Sequence, residues 1–105
     1  MANFLLIFTD GTEPTEEESA GVIQEWTNWF SGLGANLVDA GNPITPESKN
    51  ISSDGVVKDG PVGVAATGYA IIKADGLDAA VEAAKNCPHL KSGGEITVYE
   101  TFPVQ

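Results

Sequence analysis

Alternating hydrophobic and polar stretches predict two β-α-β units in this chain. Residues 3–8, Asn-Phe-Leu-Leu-Ile-Phe, are almost continuously apolar and end in the turn sequence Thr9-Asp10-Gly11. A short apolar run bounded by a turn is typical of a central strand that is buried on both faces. The sequence therefore predicts a first strand over residues 3–8, each face of which needs a covering layer.

A long amphipathic helix is predicted next. Thr15 and Glu18 have the spacing of a capping box, in which each side chain bonds the backbone N–H of the other residue. Gly32 or Gly34 is expected to end the helix. Apolar residues recur at steps of three and four positions and define the face expected to be buried. They are Ala20, Ile23, Trp26, Phe30 and Leu33.

A second strand is predicted over residues 35–40, before the chain breaker Gly41-Asn42-Pro43. The polar stretch that follows contains Ser53-Asp54-Gly55 between two short β-compatible runs, which predicts a hairpin. A third core strand is expected over residues 68–74 and the last strand over residues 95–101.

Between these last two strands the sequence predicts a second helix. Asp75 is the expected N-cap, and Cys87-Pro88 ends the helix after about Lys85. The residues expected to be buried are Leu77, Ala80, Val81 and Ala84. The complete order predicts one domain over residues 1–105, an α+β ferredoxin-like split β-α-β sandwich with an inserted hairpin.

Two helices can cover only one face of such a sheet. On the opposite face, apolar and polar side chains are mixed, as Ile71, Thr97 and Tyr99 illustrate. Burial of this face against a second copy would stabilise the assembly by roughly 25 cal/mol per Å² of apolar surface. A two-fold homodimer is the simplest arrangement, and a monomer with a modestly apolar open face is the alternative.

Charge excludes several classes of partner. The chain has a formal net charge of −10, and its only basic side chains besides one histidine are five lysines. Nucleic-acid binding requires cations that displace the counterions of phosphate, and anionic membrane surfaces attract basic segments. We therefore expect neither nucleic-acid nor membrane binding, and the acidic surface is explained by solvation.

Cysteine usage and the N-terminal residues bear on location and cofactors. A single cysteine, Cys87, permits no intramolecular disulfide and no cysteine-based metal site within one chain. The N-terminal segment lacks a basic region, and its apolar run is too short for a signal peptide or a membrane span. The sequence predicts a cytoplasmic protein and requires no metal or cofactor.

Five motifs resemble the YCII-related family, in the order in which that family has them. They are Trp26-x-x-Trp29-Phe30, Leu37-Val38-Asp39-Ala40-Gly41-Asn42-Pro43, Asp59-Gly60-Pro61, Thr67-Gly68-Tyr69 and Ala74-Asp75-Gly76-Leu77-Asp78-Ala79-Ala80. Asp59-Gly60-Pro61 is similar to the signature of the DGPF-domain branch. The resemblance implies a dimeric α/β barrel in which two ferredoxin-like sheets face each other.

The resemblance also has consequences for function. Some YCII proteins carry a His–Asp pair that is proposed to be catalytic, and the family histidine would lie on the first helix near Gln24, where this chain has none. Val62 replaces the phenylalanine that usually follows Asp-Gly-Pro. DGPF relatives are sometimes associated with transcription-initiation factors, which implies a non-catalytic accessory or regulatory role as the alternative to a small-molecule-binding or enzymatic domain.

Asp39 is the first candidate for proton transfer, because it lies where a cleft between sheet and first helix would open. A cap of the following turn is the alternative role. Asn42 is expected to orient the ligand and Asp59 to line the mouth of the cleft, with a structural place in the Asp59-Gly60-Pro61 turn as the alternative for Asp59. Trp26 and Tyr69 are expected to form walls, with a core or interface position as the alternative.

His89 and Cys87 lie beyond the second helix and carry a weaker prediction. With Asp39 they superficially resemble a nucleophilic triad. A small buried residue suits the helix end at Cys87, and His89 is expected in an exposed loop or at a dimer contact. No phosphate-binding glycine loop is found, since Gly32-x-Gly34 lies at a helix end.

Overall fold

The computed structural model of the chain describes residues 1–12 and 15–104. This part contains six strands and two α-helices, numbered in chain order. The strands are β1 (Ala2–Asp10), β2 (Leu37–Asp39), β3 (Lys49–Ile51), β4 (Val57–Asp59), β5 (Ala66–Ala74) and β6 (Gly94–Glu100). The helices are α1 (Glu16–Leu33) and α2 (Leu77–Ala84), and short 3-10 helices span Gly34–Asn36 and Pro88–Ser92.

The four core strands form one antiparallel sheet in the order β2-β5-β1-β6. This order and the two helices are compatible with a ferredoxin-like α+β fold, as the sequence predicts. The predicted hairpin is confirmed, since β3 and β4 pair as a separate two-stranded sheet around Ser53-Asp54-Gly55. The predicted second strand is shorter than expected, because residues 34–36 form a 3-10 helix before β2 begins.

The capping box of α1 is confirmed. The backbone N–H of Glu18 donates to Thr15 Oγ1, and the backbone N–H of Thr15 donates to Glu18 Oε1, each at 3.3 Å. The helix ends at Gly34, one of the two predicted glycines, where φ is +55°. These local signals fix the length of α1 and therefore which of its residues reach the sheet.

The core lies between the helices and one face of the sheet. Its strand residues alternate along β1 and β5: Phe4, Leu6, Phe8, Ala70, Ile72 and Ala74. On α1 the predictions for Ala20 and Ile23 are wrong, because both residues are exposed, Ile23 at 65%, while Trp29 is buried. The C-terminal half of α1 makes the packing contacts, and Trp29 Nε1 donates to the carbonyl oxygen of Ala83 on α2 at 3.1 Å.

The second helix also departs from the prediction. Gly76, not Asp75, is the N-cap of α2, and no side chain bonds the first turn. Ala80 and Ala84 are buried as predicted, whereas Leu77 and Val81 are exposed along a groove beside β6. Small alanine side chains let the helix approach the sheet closely, which leaves the larger residues at the margin of the contact.

Two further properties concern membranes and metals. Within residues 1–12 and 15–104, no helix has the length and apolar character that a membrane crossing requires. In the same residues, no three His, Cys, Asp or Glu side chains are grouped so that they could hold a metal ion.

Candidate functional site

A cavity of about 340 Å³ lies between α1 and the sheet, at the N-terminal end of β5. Small-molecule sites in proteins usually measure about 300–1,000 Å³, so this cavity suits a small ligand. Its lining residues come from both β-α-β units. They are Phe8, Trp26, Phe30, Ala40, Gly41, Asn42, Pro43, Thr67, Gly68, Tyr69 and His89.

The segment that follows β2, residues 40–43, forms one wall of the cavity. Regular pairing between β2 and β5 ends at Asp39, opposite Ile71, and contact with β5 resumes where Pro43 bridges Gly68. Gly41 has φ of +71°, and a Cβ atom there would overlap the carbonyl oxygen of Tyr69. Glycine is therefore required for the chain to pass this closely around the end of β5.

Aromatic rings form the side of the cavity that adjoins the core. The ring of Trp26 meets that of Phe8 edge-on, with centroids 5.5 Å apart, and lies 5.7 Å from Phe30. Such edge-on and tilted contacts add about 0.5–1.5 kcal/mol per pair beyond the burial of surface. Trp26 is half-buried, so that it both packs on the core and lines the cavity.

Polar groups occupy fixed positions around these rings. Asn42 Nδ2 donates to the hydroxyl oxygen of Tyr69 at 3.4 Å, and Thr67 Oγ1 donates to the carbonyl oxygen of Phe8 at 3.2 Å. The structure thus places the predicted wall and orienting residues Trp26, Asn42 and Tyr69 around one cavity.

His89 is the lining residue for which the sequence predicted a different place. It lies half-buried on the 3-10 helix after α2, with its ring 5.3 Å from that of Phe8. Its Nε2 lies 2.7 Å from the carbonyl oxygen of Thr9, and because a carbonyl only accepts, this nitrogen carries a hydrogen. A Cβ atom at Gly94 would overlap the His89 ring, so the glycine that begins β6 makes room for it.

The two predicted carboxylates do not lie on this lining. Asp39 Oδ1 accepts a hydrogen bond from the backbone N–H of Gly41 at 2.8 Å, and the residue is exposed. This contact is the turn cap that the sequence offered as the alternative role. Asp59 lies on β4 and pairs with Lys49 of β3 at 2.8 Å, in the hairpin. The proton-transfer role of Asp39 and the ligand role of Asp59 stay predictions.

Cys87 is buried, with 1% of its surface exposed. Burial away from water raises the pKa of its thiol to about 11, although a backbone hydrogen bond from His89 acts in the opposite direction. The thiolate is the nucleophilic form of cysteine, and at neutral pH this side chain is protonated. The arrangement fits the packing role at the helix end better than a nucleophilic role.

Comparison with known proteins adds no family assignment. The chain matches no protein-family model, and no curated protein matches it. Its resemblance to the YCII-related family therefore rests on the sequence motifs alone.

Proposed function

We propose that this chain is a small-molecule-binding or enzymatic domain of the YCII type, with its ligand in the cavity between α1 and the sheet. The observation that carries this proposal is the cavity itself. Trp26, Asn42 and Tyr69, which are far apart in sequence, all contribute to its lining. A concave, mostly apolar space with a few oriented polar groups is the usual form of a ligand site.

The second candidate is a non-catalytic accessory protein that binds a protein partner. A cleft filled by its own side chains would favour this role, since such a cleft leaves no room for a metabolite. The cavity is instead open over about 340 Å³. This difference favours the ligand-binding proposal.

A thermal-shift screen of small metabolites tests the proposal. A ligand that binds only the folded state raises the melting temperature according to its concentration relative to Kd. Several compounds that stabilise the wild-type chain are expected, and Trp26→Ala is expected to abolish their effect. If no compound stabilises the chain at millimolar concentration, the ligand-binding proposal is wrong.

Asp39→Ala tests the proton-transfer role, and the chain offers a matched control. Asp54 Oδ1 accepts from the backbone N–H of Val56 at 3.1 Å, in the same i-to-i+2 turn contact that Asp39 makes with Gly41. If Asp39 acts on the ligand, Asp39→Ala alone should remove the stabilisation by ligand. If Asp39→Ala and Asp54→Ala lose equal stability and both keep the stabilisation by ligand, the proton-transfer role is refuted and Asp39 only caps its turn.

We also propose that two copies pair through the open face of the sheet, as in a dimeric α/β barrel. Leu5 on β1 faces Ile71 on β5 and Tyr99 on β6, and none of the three belongs to the buried core. Tyr99 is 54% exposed in the single chain. A stable interface buries roughly 800 Å² on each partner. The open face of the sheet is the surface that we propose to be buried in this way.

Sedimentation of matched variants tests the dimer. Tyr99→Lys places a charge on the proposed interface and should yield a monomer. Ile23→Lys makes the same kind of change at an exposed position of α1 and should leave the dimer intact. A wild-type protein that sediments as a single protomer at micromolar concentration would refute the pairing.

A further inference from the structure

The cavity lining carries aromatic and polar side chains but, among the described residues, no lysine, arginine, aspartate or glutamate. We propose that the cavity takes an uncharged, planar aromatic or heteroaromatic ligand with a hydrogen-bond donor beside an acceptor, as in a cyclic amide. This inference rests on the proposed function, because it names the ligand class of the same cavity.

A lining whose described residues include no lysine, arginine, aspartate or glutamate selects against ions of either sign. An ion that leaves water for an apolar site needs a partner of opposite charge, or its desolvation is not offset. Anions are disfavoured further by the formal net charge of −10. The nearby carboxylate of Asp39, which would pair with a cation, lies outside the lining and accepts the N–H of Gly41.

The shape of the aromatic wall favours a flat ligand. Trp26 and Phe8 meet at an interplanar angle of 62°, and Trp26 and Phe30 at 44°. Rings at such angles present both faces and edges, which a further ring contacts by offset stacking or edge-on packing. A volume of about 340 Å³ lies at the lower end of the range for ligand sites, which limits the ligand to a few rings.

Asn42 and Tyr69 supply the hydrogen-bonding edge. Since Asn42 Nδ2 donates to the Tyr69 hydroxyl oxygen, the Tyr69 hydrogen stays available to donate and Asn42 Oδ1 to accept. Among the described residues neither group has another side-chain partner. A ligand with an adjacent carbonyl and N–H matches this pair, because each of its groups meets the complementary one.

Isothermal titration with three bicyclic probes of similar shape tests the charge selection. Carbostyril is a neutral cyclic amide, naphthoate is an anion and N-methylquinolinium is a cation. Carbostyril should bind at least about tenfold more tightly than either ion. Tighter binding of an ion would overturn the inference while leaving the proposed ligand site intact, whereas no binding of any probe would count against both.

Tyr69→Phe tests the hydrogen-bonding edge, with Tyr99→Phe as the matched control. Both changes remove one hydroxyl, but Tyr99 does not line the cavity. Tyr69→Phe should weaken carbostyril binding roughly three- to tenfold, and Tyr99→Phe should not. In NMR spectra, carbostyril should shift the indole N–H signal of Trp26 more than that of Trp29. Equal affinities of Tyr69→Phe and wild type would overturn the proposed edge.

Discussion

Gly41→Ala should destabilise the fold strongly and disrupt the cavity. Two effects combine at this position. An alanine with φ of +71° costs about 1–2 kcal/mol relative to an ordinary backbone conformation. Its Cβ atom would in addition overlap the carbonyl oxygen of Tyr69, and a backbone atom of a paired strand cannot move aside as a flexible side chain would.

Relief of this overlap requires the segment around Gly41 to move away from β5. The movement breaks the hydrogen bond from the Gly41 N–H to Asp39, which contributes about 1 kcal/mol. Together with the backbone strain, which the lower entropy of the unfolded chain partly offsets, the total loss is about 2 kcal/mol. Domains of this size have an unfolding free energy of about 5–15 kcal/mol, so the variant should lose a large part of its stability.

Gly63→Ala is the matched control. Gly63 has a similar φ of +77°, but nothing lies within 4 Å of the position that its Cβ would take. Only the backbone strain applies there, partly offset by the lower entropy of the unfolded chain, so the net loss should be about 1 kcal/mol. The difference between the two variants isolates the close approach to Tyr69.

Urea unfolding measures both free energies, and thermal melts provide a second reading. One kcal/mol corresponds to roughly 4–8 °C in a domain of this size, so Gly41→Ala should melt roughly 8–16 °C below the wild type. Carbostyril affinity should fall with it, since Gly41 lines the cavity. Equal losses in Gly41→Ala and Gly63→Ala would refute the tight passage around β5.

Three further predictions concern stability. The free energy of unfolding should fall by about 2–3 kcal/mol as pH rises from about 9 to about 11, because burial favours the protonated Cys87 thiol in the folded state. In urea unfolding measured at a series of pH values, Cys87→Ala should not show this fall. Thr15→Ala should cost about 1 kcal/mol by urea unfolding, whereas Thr15→Ser, which keeps a capping oxygen, should cost less than half of that. Asp59→Ala should change the unfolding free energy by less than about 0.5 kcal/mol, because its pair with Lys49 is highly exposed; a larger loss would indicate that a partner surface covers the hairpin.

Local sequence signals predicted the elements well where the signal and the structure depend on the same few residues. The capping box of Thr15 and Glu18 and the turn at Ser53-Asp54-Gly55 are of this kind. The predicted N-cap of α2, Asp75, was wrong. The next residue, Gly76, takes the cap position with an extended backbone and without a side-chain hydrogen bond. Residue type alone does not decide between such neighbours.

Burial along α1 was harder to predict. Periodicity indicates which side of a helix is apolar, but not over how much of the helix length that side is packed. Ile23 and Trp26 fit the same apolar stripe, yet Ile23 is exposed. Trp29 is buried because α2 lies beside it and accepts its Nε1 hydrogen bond at Ala83. That contact joins residues 54 positions apart, and local patterns carry no information about it.

The cavity was only partly predictable, because its lining also joins residues that are distant in sequence. Trp26 and Asn42 belong to the first β-α-β unit, while Tyr69 and His89 belong to the second. His89 reaches the cavity through its bond to Thr9 of β1 and the space left by Gly94, neither of which is a motif. Because each unit supplies only part of the lining, neither unit alone contains the site. A variant in which the two β-α-β units no longer pack together should therefore lose ligand binding, even if its helices and hairpin still form.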